Sequence, residues 1–228
     1  MNVAIVVAAG KGTRLGGDRP KQFLELGGIP VIIHTLRQFE RSKEINEVIT
    51  VLPAEETAGF QSVAQKFELK KARHAIAGGA SRAQSVRCGL NAISDAEIVA
   101  IHDGVRPFVT ADEIDATVEA ARKSGAAVLT APVADTIKRV AADNVVETVP
   151  RAQLRRALTP QCFRLEVLQE AYQALDALEA DGIEITDDSF LVERLGIEIV
   201  SVEGSARNIK ITNAEDLARA DLLLRDSF

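Results

Sequence analysis

The chain has 228 residues, 46% of them hydrophobic, and a formal charge of −6, which allows one large core or one domain with an appendage and excludes a broad basic surface for nucleic acid. With no tryptophan and a single tyrosine, Tyr172, it also lacks a stacking platform for single strands. Cys88 and Cys162 have neither metal-ligand nor thioredoxin-like spacing and read as reduced, buried thiols of a cytoplasmic protein; no stretch reaches the length of a membrane span or has the flanks of a secretory signal.

Residues 3–8 form an apolar, β-branched run that reads as a buried parallel strand. It empties into a loop with Gly10, Gly12, Gly16 and Gly17, in which Lys11, Arg14, Arg19 and Lys21 face a single Asp18. The glycines let successive N–H groups turn inward and the cations reverse the sign of an acidic chain, so this strand-to-helix turn is expected to hold a phosphorylated ligand. Pro20 stiffens the chain before Lys21. The dinucleotide fingerprint G-x-G-x-x-G fails by one position, because Gly12 is followed by Gly16, and no glycine precedes a Lys-Ser or Lys-Thr pair as a P-loop requires.

Further along, 23–30 reads as a short extended piece closed by a Gly-Gly turn, and 31–40 as a helix with Ile32, Leu36 and Phe39 on one face. A strand over 47–52 stops at Pro53; a helix over 54–67 and a strand over 72–77 follow. Ser81 is placed to cap a helix, with Arg82 in its first turn and Ser85 one turn further in. The strand 98–101 delivers His102, Asp103, Gly104, Val105, Arg106 and Pro107 at its carboxyl end, where open parallel sheets bind ligands. A helix over 111–123 and a strand over 126–131 continue an α/β pattern, a mostly parallel sheet with helices on both faces.

Between 136 and 149 two β-rich runs flank the turn signal Asp143-Asn144, which predicts a protruding hairpin arm. An isolated ribbon is marginal in water, so Ile137, Val140, Val145, Val146 and Val149 need a packing partner. The same arm of a second subunit is the most economical one, and folding back on its own domain is the alternative. Residues 158–163 return the chain to the main body, and a helix over 165–180 follows. Thr186 or Asp187 is expected to cap a short helix ending near 195, followed by a strand over 197–202, Lys210 on a short extended piece and a terminal helix over 214–224. The simplest division is one domain, 1–228, with 133–153 as a β-arm insertion for dimerisation.

Gly10, Gly12 and Arg14, followed by Pro20 and Lys21, are similar to the signature of the Rossmann-like nucleotidyltransferases that join a nucleoside triphosphate to a small phosphate. In chain order, these residues, together with Ala8 and Ala9, Gln22 and Phe23, Gly78, Gly79 and Arg82, His102 and Asp103, Arg106 and Pro107, Ala131 to Thr136, Leu158 to Gln161, Thr186 and Asp187, and Asn208 to Lys210, resemble the 2-C-methyl-D-erythritol 4-phosphate cytidylyltransferases. The resemblance covers nearly the whole chain. It implies that CTP and methylerythritol phosphate give CDP-methylerythritol and pyrophosphate in the non-mevalonate isoprenoid pathway, with Mg2+ or another divalent cation. It also implies a homodimer whose arm reaches the neighbouring site. On the same resemblance Arg14 and Lys21 are the catalytic pair, while Ala8, Ala9, Gly10, Lys11, Gly12, Gly79, Ala80, Ser85, Asp103 and Gly104 surround CTP. The resemblance points to Thr136, Lys210 and Arg151 of the partner subunit for the acceptor phosphate. From the residues themselves, Arg106 is a further candidate for that phosphate, and Asp103, a carboxylate at a strand's carboxyl end, is the metal candidate, since magnesium takes one or two carboxylates besides phosphate oxygens.

The residues by themselves leave alternatives. Lys11 also reads as a solvated lysine, Asp103 as the start of an Asx-turn, and Arg106 either as a phosphate contact or as a brace for its loop. His102 reads as a packed residue rather than a base, since the acceptor is already anionic. Ala80 stands where such enzymes often carry a polar residue. The run from His102 through Val105 to Phe108 also occurs in ribitol-5-phosphate cytidylyltransferases, which makes ribitol phosphate the rival acceptor. From other classes, a non-catalytic nucleotide-binding module and a nicotinamide-dependent oxidoreductase are the competing readings.

Overall fold

The computed structural model describes residues 1–10 and 20–225. Strand β1 (Asn2–Val7) comes first, then a short hairpin of β2 (Glu25–Leu26) and β3 (Ile29–Pro30), helix α1 (Val31–Arg41) and β4 (Glu47–Leu52). Next are α2 (Ala54–Thr57), α3 (Phe60–Lys66), β5 (Ala75–Ala77), α4 (Arg82–Asn91), β6 (Ile98–Asp103), α5 (Ala111–Ser124) and β7 (Ala126–Pro132). The arm is β8 (Ile137–Ala141) and β9 (Asn144–Val149); β10 (Arg155–Arg164), α6 (Leu165–Tyr172), α7 (Leu175–Ala180), α8 (Asp188–Glu193), β11 (Val200–Glu203) and α9 (Ala214–Arg225) complete the chain.

Seven strands form one sheet in the order β11-β7-β10-β6-β1-β4-β5, and β10 alone runs antiparallel to its neighbours. The two faces follow from the two-residue period of a strand. Ala4 and Val6 of β1 pack with Ile32, Leu36 and Phe39 of α1 and Ile114 and Val118 of α5. Val3 and Ile5 pack with Val86 and Leu90 of α4, Leu168 and Tyr172 of α6 and Leu175 of α7. Helices therefore cover both faces, as the apolar strands of a parallel sheet require.

Several expectations need correction. The helix expected over 54–67 is split at Gly59 into α2 and α3, and the one expected over 165–180 is split into α6 and α7 by a turn at 173–174. The strand expected over 72–77 is formed only over Ala75–Ala77, and the last strand starts three residues later than expected. The arm turns at Ala142 and Asp143, both at positive φ, so Asn144 begins β9 instead of sharing the turn. Cys162 is buried, and burial pushes its thiol up, but Cys88 is only half-buried. The return segment 158–163 is the larger surprise, because it lies inside β10, between β6 and β7. Pro160 argues against a central strand because it has no N–H to donate. The sheet accommodates it where the pairing of β10 with β7 shifts register, between Ala157 and Gln161.

Ser81 caps α4 as expected, its hydroxyl accepting from the Gln84 amide at 3.0 Å. Of the two residues expected to cap α8, Asp187 does so, accepting from the Phe190 amide at 3.0 Å. No helix among the described residues is long and apolar enough to cross a membrane.

Candidate active site

The floor of the site is backbone. Ala8 and Ala9 leave β1 between two glycines whose missing side chains make room for them: a Cβ on Gly104 would lie 2.8 Å from that of Ala8, and one on Gly78 would lie 2.3 Å from that of Ala9. The Gly104 amide donates to the Val7 carbonyl at 2.8 Å and the Gly78 amide to that of Leu52 at 2.9 Å, which ties the end of β6 to that of β1 and the end of β5 to that of β4. Gly79 and Ala80 continue this wall. The Gly79 amide donates to the Ser85 hydroxyl at 3.1 Å, and the Ala80 amide donates to Gln84 Oε1 at 3.2 Å. Ser85 is buried and donates to the Ser81 carbonyl at 2.8 Å, so it shapes the turn from beneath. Gln22, also buried, donates to the Gly10 carbonyl at 3.1 Å and ties the short 3-10 turn Lys21–Phe23 to the end of β1. Among the described residues the β2–β3 hairpin precedes the first α-helix. Lys11, Gly12 and Arg14, and with them the expected strand-to-helix turn, lie outside the described residues.

Beside this floor lies a polar cleft of ≈ 260 Å³ whose lining includes Arg82, Asp103, Arg106, Thr159, Thr186 and Lys210. Asp103 ends β6 and meets three cations. Its Oδ1 receives Arg82 Nε at 3.1 Å, and its Oδ2 receives Arg106 Nε at 3.2 Å and Lys210 Nζ at 3.0 Å. Burial alone would raise this carboxyl, but the charges of Arg82, Lys210 and Arg106 override it and hold Asp103 well below the usual carboxylate range. Arg106 also donates to the Asn208 carbonyl at 3.0 Å. It braces its own loop against the segment that carries Lys210, and in doing so places its guanidinium in the cleft.

His102 sits behind Asp103, fully buried. The Thr159 hydroxyl accepts from the Asp103 amide at 3.2 Å and lies 2.9 Å from His102 Nδ1, to which it gives its one proton. The other ring nitrogen, Nε2, then donates to the Arg106 carbonyl at 3.2 Å. This assigns a neutral ring that links β6, β10 and the Arg106 loop, the packed role expected for it. Burial lowers the imidazole to a pKa of about 4 despite the nearby Asp103. An unfolded chain titrates the same group near about 6.5, so between these values it binds the extra proton and stability rises with pH. We expect the contribution to be complete above pH 6.5 and to decline by up to about 1.4 kcal/mol per pH unit as pH falls toward about 4. Urea denaturation from pH 8 to 4.5 checks this; a flat stability below pH 6.5 contradicts it.

Thr136 and Arg151 stand apart from this cleft within one chain. Thr136 is exposed at the base of the arm, and Arg151 donates to the Ala134 carbonyl there. Residues in or against the cleft that were not singled out as site residues from sequence include Arg82, Thr159, Gln161 and Thr186 of its lining and Asp188, which receives Arg82 Nη2. Arg82 carried a local signal, its place in the first turn of a capped helix after two glycines.

Among the described residues no group of three or more His, Cys, Asp and Glu side chains is arranged to hold a metal. Asp103 offers one carboxylate, and among the described residues three ion pairs take about three of its roughly four lone-pair directions. That donor set fits a magnesium ion taking most of its shell from phosphate and water, and not an all-protein cage.

A mostly parallel α/β sheet with a glycine-walled floor and a cationic cleft at its carboxyl ends defines a nucleotidyltransferase-type enzyme. The sequence profile of the family described as IspD, 2-C-methyl-D-erythritol 4-phosphate cytidylyltransferase, matches residues 2–226, and this chain belongs to that family. A relative of that name from Halalkalibacterium halodurans is 42% identical over 222 residues, covering 97% of this chain and 96% of its own. One from Bacillus cereus is 43% identical over 224 residues, covering 98% of each. Among solved structures, a 4-diphosphocytidyl-2C-methyl-D-erythritol synthase from Anaerococcus prevotii superposes with a TM-score of 0.86 at 31% identity, covering 98% of this chain and 96% of that one. The cytidylyltransferase from Thermus thermophilus gives 0.77 at 34% identity, covering 97% and 98%.

Proposed function

We propose that this enzyme transfers CMP from CTP to 2-C-methyl-D-erythritol 4-phosphate, releasing CDP-methylerythritol and pyrophosphate. The observation that carries the reading is the family match along residues 2–226 joined to a cleft in which Asp103 gathers Arg82, Arg106 and Lys210. A phosphate monoester loses its second proton near pH 6, so the acceptor is already a nucleophile at neutral pH and needs no base. One of its oxygens attacks the α-phosphorus of CTP in line, a new P–O bond forms, and the bond to the bridging oxygen breaks with its electron pair leaving on pyrophosphate. Positioning and charge neutralisation then supply most of the rate.

In this reading the wall of Ala8, Ala9, Gly10, Gly79, Ala80 and Gly104, shaped by Ser85, receives the nucleoside. Lys11, Gly12 and Arg14 attend the triphosphate together with Lys21. Arg106 and Lys210 meet the acceptor phosphate from the cleft. Asp103 would hold Mg2+, which when bound shares the charge of the nucleotide phosphates. A cytoplasmic location accords with two free cysteines. Pyrophosphate release measured with CTP and each purified acceptor tests the reaction: turnover with methylerythritol phosphate is expected, and turnover only with ribitol 5-phosphate would overturn it.

The arm supports a homodimer. Val140, Val145 and Val146 are 56%, 64% and 59% exposed, and a bare two-stranded ribbon needs something to pack against. Two arms packed together would carry Thr136 and Arg151 toward the other subunit's cleft. Replacing 137–149 by a short linker is expected to yield a monomer in light scattering with impaired turnover; an unchanged dimer mass would sink the arm's role.

A further inference from the structure

Asp188 is the most deeply buried carboxylate beside the cleft, with its side chain 0% exposed. Its Oδ2 receives Arg82 Nη2 at 2.8 Å and its Oδ1 the Tyr172 hydroxyl at 2.5 Å. Its backbone amide and that of Ser189 both donate to Gln161 Oε1, at 3.0 and 2.9 Å, so β10 fixes the start of α8. Burial and the adjacent Asp188 push Tyr172 up, so the phenol keeps its proton and acts as a donor. An ionised carboxylate without water is costly unless it is matched by charge and hydrogen bonds, and here both are supplied.

Arg82 Nε goes to Asp103, whose other oxygen holds Lys210. The contacts form an unbroken line from Tyr172 through Asp188, Arg82 and Asp103 to Lys210, crossing from the interior face of α6 to the acceptor side of the cleft. Because guanidinium is a rigid planar fork, sharing it between two carboxylates fixes how the second one is rotated.

We propose that Asp188, braced by Tyr172, is a positioning residue for the transfer: it holds Arg82 on the cleft wall, which sets the rotation of the Asp103 carboxylate and, through it, the placement of the Lys210 ammonium. The inference rests on the reading of Lys210 and Asp103 as site residues given above. Without the Asp188 charge, Arg82 keeps only its contact to Asp103 and can rotate about it toward an incoming phosphate. Substrates would still bind, but with the acceptor misaligned.

Steady-state kinetics on Asp188→Asn, Arg82→Gln and the double variant test this, with thermal melts to verify folding. Asp188→Asn should lower kcat about tenfold or more while the KM for CTP stays within about threefold. The double variant should be no slower than the slower single one, because Asp188 acts through Arg82. Losses that multiply, or a kcat within about twofold of the parent, would overturn the proposal. If Asp188→Asn does not fold, Tyr172→Phe takes its place in the same cycle, with a loss of about threefold expected and multiplicative losses again overturning it. A parent enzyme that releases no pyrophosphate from CTP and methylerythritol phosphate would instead refute the functional reading, which separates the two failures.

Discussion

Lys21→Ala is expected to lower kcat by about a hundred- to a thousand-fold, the usual effect of removing one fixed donor from a transition state that gathers negative charge. The loss should fall on kcat more than on the KM for CTP, because the interaction is strongest when charge has spread over the reacting phosphorus. Folding should be spared. The position of Lys21 is set by its backbone: Pro20 precedes it at φ −58° and ψ 141°, its carbonyl accepts from the Leu24 amide at 3.2 Å, and its neighbour Gln22 anchors the turn to Gly10. None of these depends on the ammonium, so the backbone turn should persist and urea denaturation should show a folded variant. A loss confined to KM, or one smaller than about tenfold, would remove Lys21 from the chemistry. Near-full activity is also the outcome that a non-catalytic nucleotide-binding module predicts.

The local parts of this site were legible in the sequence because their signals are local. The β-branched run into glycines locates the end of β1, Ser81 announces the start of α4, and the run from Ile98 to Asp103 marks a strand's carboxyl end. Strand β10 was not legible, because the residue that discourages a strand, Pro160, sits at the register shift that makes one possible. The connection around Asp188 was hidden for a different reason. In sequence it looks like an ordinary acidic residue in the first turn of a helix, yet its partner Arg82 is 106 residues away and that arginine's other partner is 21 residues away. No period or spacing encodes such a pairing. The proposed second half of the acceptor site is the mirror case: Thr136 and Arg151 are named by resemblance, while within a single chain they lie on an exposed arm, outside the cleft.

Asp103→Asn should be the most damaging conservative change in the cleft, for two separable reasons. The first is stability. The substitution keeps the shape but leaves Arg82, Arg106 and Lys210 facing one another without the anion between them. Breaking a buried ion pair by removing one partner costs about 3–5 kcal/mol; since Arg82 retains Asp188 and Lys210 is more than one-third exposed, the low end of that range applies. The sign with pH follows from the depressed carboxyl. Its stabilisation is present above the unfolded value of about 3.9 and is lost as pH falls below it, so the gap between parent and variant should be constant from pH 8 to about 5 and close in stronger acid. Urea denaturation at pH 7 and at pH 4 or below measures that gap; equal stability at pH 7 would refute it. The second reason is chemical. Lys210 loses the carboxylate oxygen that holds it and Mg2+ loses its proposed protein ligand, so turnover should fall at least about a hundredfold at temperatures where the variant is fully folded. A rate loss no larger than the unfolded fraction accounts for would make Asp103 only a structural knot. A folded but inactive variant would place it in the reaction.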